Sequence, residues 1–279
     1  MINILFCGND KVLDGMLTCA LSILKRTQTK EPFTFYLYTL ELTDLNPAFR
    51  AISPQSASFL EKVVKEYNSE NRVVLIDVKE IYERELRGCP NEASSYSPYA
   101  MLRVLADLVD GMPSKILYLD ADILFNRDIR LLYDVDIEKY EYAAARDHYG
   151  KYLVNPNYIN SGVLLLNLKK IRETGLFAKA RDELRKRKLA FPDQTAIRIN
   201  TERKRLLPQK FNDQKFLHKN TVVRHFSKRL FWLPYPHVKN VKQWQVSLVH
   251  KIFGYYEFDD ILYEYLYLKE KFKREVEKA

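Results

Sequence analysis

The opening of the chain alternates apolar runs with amphipathic stretches, and this alternation limits the fold more than any single motif does. Ile2–Cys7 and Phe33–Thr39 read as strands, and residues 72–78 as a third strand ending in Asp77. Between them, residues 13–25 and 53–68 carry apolar side chains at helical spacing. Strand, helix, strand in that order argues for an α/β fold with a mostly parallel sheet. The pattern continues with a helix over residues 97–109 feeding a strand at 116–119. Further strand-like runs lie at 142–146, 159–166 and 222–226, and helical ones at 179–188 and 194–200.

With 279 residues, 47% of them hydrophobic, the chain has material for one large domain or two small ones. No run approaches the roughly 18 consecutive apolar residues of a membrane span. The N-terminus, MINILFCGND, has no basic region and no cleavage site, so no signal peptide is expected. Cys7, Cys19 and Cys89 are odd in number and scattered, which fits reduced thiols in a cytoplasmic protein.

The sharpest motif is KILYLDADILF, residues 115–125. An apolar strand stops in two aspartates, Asp120 and Asp122, where a strand of an open α/β sheet meets the ligand crevice. Side chains two apart in extended chain point the same way, so both carboxylates can face one hard cation. Ala121 between them is small enough for a phosphate to come close. A bare Asp-x-Asp is more often just an acidic strand end, and other motifs must support it. The first strand exits through FCGND, a small-residue turn suited to a nucleotide. Arg103 precedes the Asp-x-Asp on a helix, where a guanidinium can reach phosphate or sugar oxygens. Asn160 and Gly162 lie in YINSGVLLLNL, Asp193 and Gln194 in FPDQ, and His225 follows the 222–226 strand's start.

The order of these motifs, from about residue 2 to 232, resembles glycosyltransferase family eight, retaining enzymes with a Rossmann-like GT-A fold. The resemblance implies a metal site at Asp120, Asp122 and His225. It places Cys7 and Asn9 at uracil and ribose. Arg103, Asp147, Asn160 and Gly162 fall around the donor sugar, and Asp193 and Gln194 at the reacting centre. There are departures. Asn9 stands where many members have Asp, and Lys228 holds the usual glycine position after the histidine. The family's phosphate lysine, two residues before a tryptophan, falls on Leu230 when counted from Trp232, which leaves Lys228 or Arg229 for that role. The implied activity is transfer of a hexose, glucose or galactose, from a UDP-sugar to a glycan or lipid-linked glycan, with Mn2+ as cofactor and Mg2+ as the alternative. Two other readings are a catalytically degenerate glycan-binding module and, given the Asp-x-Asp, a haloacid dehalogenase-type phosphatase. The latter pattern wants Thr or Val where Leu124 stands.

The net charge of +9 is concentrated. Residues 203–251 hold 12 Lys/Arg against one acid, Asp213, so the remainder of the chain carries −2. Such a segment suits an anionic partner. No nucleic-acid motif accompanies it. Trp232, Tyr235 and Trp244 among these cations suggest peripheral contact with an anionic membrane surface, with Lys239 and Lys242 as contacts. Two parts are expected: a catalytic domain over 1–232 and an aromatic, helical extension over 233–279. In the latter, Phe258, Ile261, Leu262, Tyr265, Leu268, Phe272 and Val276 form an apolar stripe that must dock on the protein or on a second copy.

Overall fold

The computed structural model describes residues 1–93, 97–231 and 233–277. Its strands are β1 (Ile2–Cys7), β2 (Phe33–Thr39), β3 (Arg72–Asp77), β4 (Lys115–Leu119), β5 (Ile123–Phe125), β6 (Tyr142–Ala145), β7 (Val163–Asn167), β8 (Lys204–Leu207), β9 (Val223–His225), β10 (Arg229–Phe231) and β11 (His237–Lys239). The helices are α1 (Leu13–Arg26), α2 (Pro54–Tyr67), α3 (Lys79–Glu85), α4 (Arg130–Tyr133), α5 (Gly150–Leu153), α6 (Leu168–Thr174), α7 (Leu176–Lys186), α8 (Pro192–Asn200), α9 (Val246–Phe253) and α10 (Asp259–Glu277).

Seven strands form the central sheet in the order β3-β2-β1-β4-β7-β6-β8. β7 runs antiparallel to both neighbours, β4 and β6, and the remaining pairs are parallel. The strands are apolar on both faces because both faces are covered. Ile4 and Phe6 of β1, Leu117 and Leu119 of β4 and Leu165 of β7 point into one core, with α1 and α2. Leu5, Ile116, Tyr118, Leu164 and Leu166 point into the other, with α7 and α8. This is the mixed α/β arrangement that the alternation predicts.

Three differences from the sequence reading have physical causes. The helix expected over 97–109 is a 3-10 helix, Pro98–Leu105, capped by Ser97 and followed by turns. Its tight repeat brings the Arg103 Nε back onto the Ala100 carbonyl at 2.7 Å. β5, three residues long and too short for periodicity to announce, pairs antiparallel with β9, which lies within the expected strand at 222–226, and the two form a ladder separate from the main sheet. β10 and β11 form a hairpin whose tip exposes Leu233 and Tyr235.

The C-terminal stripe docks on the protein itself. Phe258, Ile261, Leu262, Tyr265 and Leu268 are buried in the core that also holds α1, whereas Val276 remains exposed. Phe272 stacks on Phe59 of α2 with ring centres 4.4 Å apart. Lys25 pairs with Glu264, Arg26 with Asp260 and Lys269 with Asp14. Trp232, the boundary residue of the expected extension, lies outside the described residues.

Candidate active site

β4 delivers Asp120 directly at its end, where the Asp120 N–H donates to the Gly162 carbonyl and prolongs the β4 and β7 ladder by one bond. Asp122 opens β5. Because Ile123 pairs with His225 in the β5 and β9 ladder, the imidazole arrives beside Asp122 although the two are far apart in sequence. Ligand atoms of Asp120, Asp122 and His225 all lie within 4.8 Å of one another. Gly162 makes room for them. A Cβ there would meet His225 Cε1 at 2.5 Å and Asp120 Oδ2 at 2.7 Å, so a side chain is excluded by contact, not by backbone angle. Behind the turn, Gly15 of α1 approaches Ala121, and Gln243 Nε2 donates to the Ala121 carbonyl at 2.7 Å.

A chain of amides fixes the imidazole tautomer. The Gly162 N–H, which can only donate, gives its proton to Asn160 Oδ1 at 3.1 Å. Asn160 Nδ2 donates to the Asp147 carboxylate, which can only accept, at 2.9 Å. Asn160 is thereby oriented, and its Oδ1 also accepts from Asn212 Nδ2 at 2.8 Å. Asn212 Oδ1 must then face His225 Nδ1, 3.1 Å away, which carries the proton. The lone pair of Nε2 is left pointing at Asp122 Oδ1, 3.0 Å away, and at Asp120 Oδ2, 3.9 Å away. Three electron-pair donors converging on one point call for a cation between them. A ligating histidine usually donates its other ring N–H to a fixed acceptor, as Nδ1 does here to Asn212. The residues therefore fit a divalent metal.

A cleft of about 640 Å³ opens over this end of the sheet. Asp120, Asp122 and His225 line it, as do the expected sugar-side residues Arg103, Asp147, Asn160, Gly162, Asp193 and Gln194. Lys228 and Arg229 stand at its edge. Arg103 is almost wholly buried, donates to Asp120 Oδ1 at 3.0 Å and lies over the Tyr118 ring. Burial alone would lower its pKa, but Asp193, Tyr118 and Asp120 outweigh that and hold the guanidinium above its ordinary range. Asp193 and Gln194 sit in the first turn of α8. Ser161 Oγ donates to Asp193 Oδ2 at 2.8 Å, and the Ser161 N–H donates to Gln194 Oε1 at 3.1 Å.

Three expected residues lie outside the cleft wall. Asn9 is buried with its Nδ2 on the Ala48 carbonyl, and burial pushes the Cys7 thiol well up from its usual range. Ala121 is partly buried and packs against the core that also holds α1. Lys242 overturns its own expectation as a membrane contact. It lines the cleft, and its Nζ donates to Asp122 Oδ2. Burial alone would raise the Asp122 carboxyl, yet the Lys242 ammonium, the largest opposing influence, holds it far below the usual carboxylate range. Sequence reasoning had a usable signal, because Lys242 stands two residues before Trp244. Counting from Trp232 had put that spacing on Leu230. The residues between His225 and Lys242 are largely the β10 and β11 hairpin. Asn212 and Ser161 were also missed, since nothing local marks a residue that acts through another.

A mostly parallel sheet with a cleft and a candidate cation site at its strand ends has the architecture of the GT-A fold, which solved structures similar to it share. The solved bifunctional glycosyltransferase WbbM superposes with a TM-score of 0.73 at 16% identity, covering 98% of this chain and 51% of that one. The galactosyltransferase LgtC, solved with donor and acceptor sugar analogues, gives 0.66 at 16% identity over 94% and 96% of the two chains. A Haemophilus influenzae protein bearing a provisional glycosyltransferase name is 26% identical over 191 residues, 64% of this chain and 52% of its own. Glycosyltransferase GlyF of Streptococcus pneumoniae serotype 4 is 29% identical over 122 residues, 44% of this chain and 29% of its own. This chain thus spans about half or less of the curated relatives it matches. The profile described as Glycosyl transferase family 8 matches residues 3–212, and the chain belongs to that family. The dehalogenase-type phosphatase reading falls with that membership.

Proposed function

We propose that the chain is a metal-dependent retaining glycosyltransferase that moves a hexose, glucose or galactose, from a UDP-sugar to a glycan or lipid-linked glycan. The observation that carries this reading is the convergence of Asp120, Asp122 and the His225 lone pair in one cleft with Arg103, Asp193 and Gln194. Mn2+, or Mg2+ in its place, would be held by the first three and would neutralise the diphosphate as the sugar bond breaks. Lys242, Lys228 and Arg229 add positive charge to the lining of the cleft. Arg103 is fixed by Asp120 and by Asp193, whose Oδ2 lies 3.4 Å from its Nε, so it offers an immobile positive edge to the sugar.

The Asp193 carboxylate is already engaged by Ser161 and Arg103. That engagement spreads its charge and blunts it as a nucleophile. We favour attack by the acceptor from the leaving-group side, with Asp193 and Gln194 orienting the sugar. On this reading Asp193→Asn cuts turnover by orders of magnitude and leaves UDP affinity nearly unchanged. Among the described residues no helix is long and apolar enough to cross a membrane. We place the enzyme in the cytoplasm, in peripheral contact with an anionic membrane face through the β10 and β11 hairpin. A panel of UDP-sugars incubated with Mn2+ tests the whole reading. Transfer or slow donor hydrolysis supports it, and binding without turnover supports the degenerate module.

A further inference from the structure

The two carboxylates of the cation site each have a cation of their own, and the two cations are held very differently. Arg103, beside Asp120, is 3% exposed and also grips the Ala100 and Ser161 carbonyls. It cannot leave without orphaning those groups in a buried place. Lys242, beside Asp122, is a flexible stem whose side chain is 24% exposed in the cleft. Only its backbone is anchored. Its own N–H donates to Gln245 Oε1 at 2.9 Å, and the next side chain, Gln243, is buried against Thr18 Oγ1 at 3.0 Å and the Ala121 carbonyl at 2.7 Å. The ammonium can therefore swing while its loop stays put.

Lys242 holds Asp122 Oδ2, while Oδ1 faces the His225 Nε2 lone pair 3.0 Å away. A divalent ion joining Asp122 has to contend with the Lys242 ammonium for the same carboxylate, at a distance where two positive charges repel strongly. Resting on the reading above, we propose that Lys242 is a displaceable counter-ion of Asp122 that couples the metal to the nucleotide. The ion alone binds weakly against the lysine. A nucleoside diphosphate offers the ammonium a new anionic partner, frees Asp122 and so tightens the ion. By linkage the ion tightens the nucleotide by the same factor. Lys242 is a positioning residue in this scheme, and its effect appears before any chemistry.

The test is titration of the full chain with Mn2+, followed by electron paramagnetic resonance, with and without saturating UDP. In the unaltered protein, UDP should tighten Mn2+ by about tenfold or more. Lys242→Met should bind Mn2+ alone about fivefold tighter than the unaltered protein, and the gain from UDP should shrink below about threefold. Lys242→Gln should behave alike and keeps the test available if the first variant does not fold. Lys242→Arg, which retains the charge, should keep the unaltered protein's weak binding of Mn2+ alone. In folded Lys242→Met or Lys242→Gln protein, Mn2+ affinity and UDP coupling equal to the unaltered protein's would overturn the proposal. Absence of Mn2+ binding in every variant, with and without UDP, would instead remove the cation site itself.

Discussion

Gly162 decides whether the cation site exists. Gly162→Ala would drive a methyl into His225 and Asp120, neither of which is the loose end of a long side chain. The variant should fold, because Gly162 sits at the strand's entry, yet lose most Mn2+-dependent UDP binding by calorimetry. Asn212 acts one step further out. Asn212→Ala removes the acceptor that fixes the His225 tautomer, and metal affinity should drop about 10- to 100-fold, with thermal stability changing much less. Asp122→Asn should stay folded and lose transfer, and in the unaltered protein EDTA should weaken UDP binding at least about tenfold, or ~1.4 kcal/mol. Equal UDP affinity with and without EDTA would refute the metal assignment. At this scale the sequence was legible wherever a motif was short and local, as at Asp120 and Asp122. It was illegible for Asn212, whose role depends on an amide chain spanning three segments. Lys242 was misread because a basic, aromatic run does not show which of its lysines turns inward.

Elements were easiest to read where burial imposed a period. β1, β2 and β4 and α1, α2 and α10 fall within a few residues of expectation because each buries an apolar face, and β3, only partly buried, was legible from its apolar run VVLI. β9 lies within the expected strand at 222–226, but its partner β5 escaped because three residues carry no period, and yet that ladder brings His225 to the aspartates. β9 is itself pinned by Arg224, a wholly buried guanidinium that donates to the Asp213 carbonyl at 2.8 Å and lies over the Phe226 ring at 4.9 Å. α10 is held partly by charge. The hydrogen bond from Arg26 holds Asp260 below the ordinary carboxylate range. A carboxylate depressed in the folded state stabilises it above the unfolded pKa, about 3.9, and that contribution fades as pH falls through the lower folded value. Hydrogen exchange should show amides of α10 losing protection below about pH 4 ahead of those in β1 and β4. Loss of protection in all three together would contradict this.

For the molecule as a whole, the fold class was readable from alternation alone, whereas the face the protein turns to its surroundings was not. The exposed hairpin side chains Leu233, Tyr235 and Val238, with Lys239 beside them, are the surface we assign to an anionic membrane. Vesicle flotation with anionic lipid should show binding that weakens with salt and falls when Tyr235→Ser and Lys239→Glu are combined. Binding that survives this change, or occurs equally on neutral vesicles, would refute the assignment. Lys242 is no longer a fair target in that experiment, since altering it disturbs Asp122.

The long reach from Asp122 to its partners has a consequence for how the protein comes into being. Lys242 and Asp122 are 120 residues apart. A ribosome has therefore made most of the sheet before the last groups of the site emerge. A nascent or prematurely stopped chain can have every strand of the central sheet in place, the last of them ending at Leu207, and still lack the His225 and Lys242 side chains that complete the cluster around Asp122.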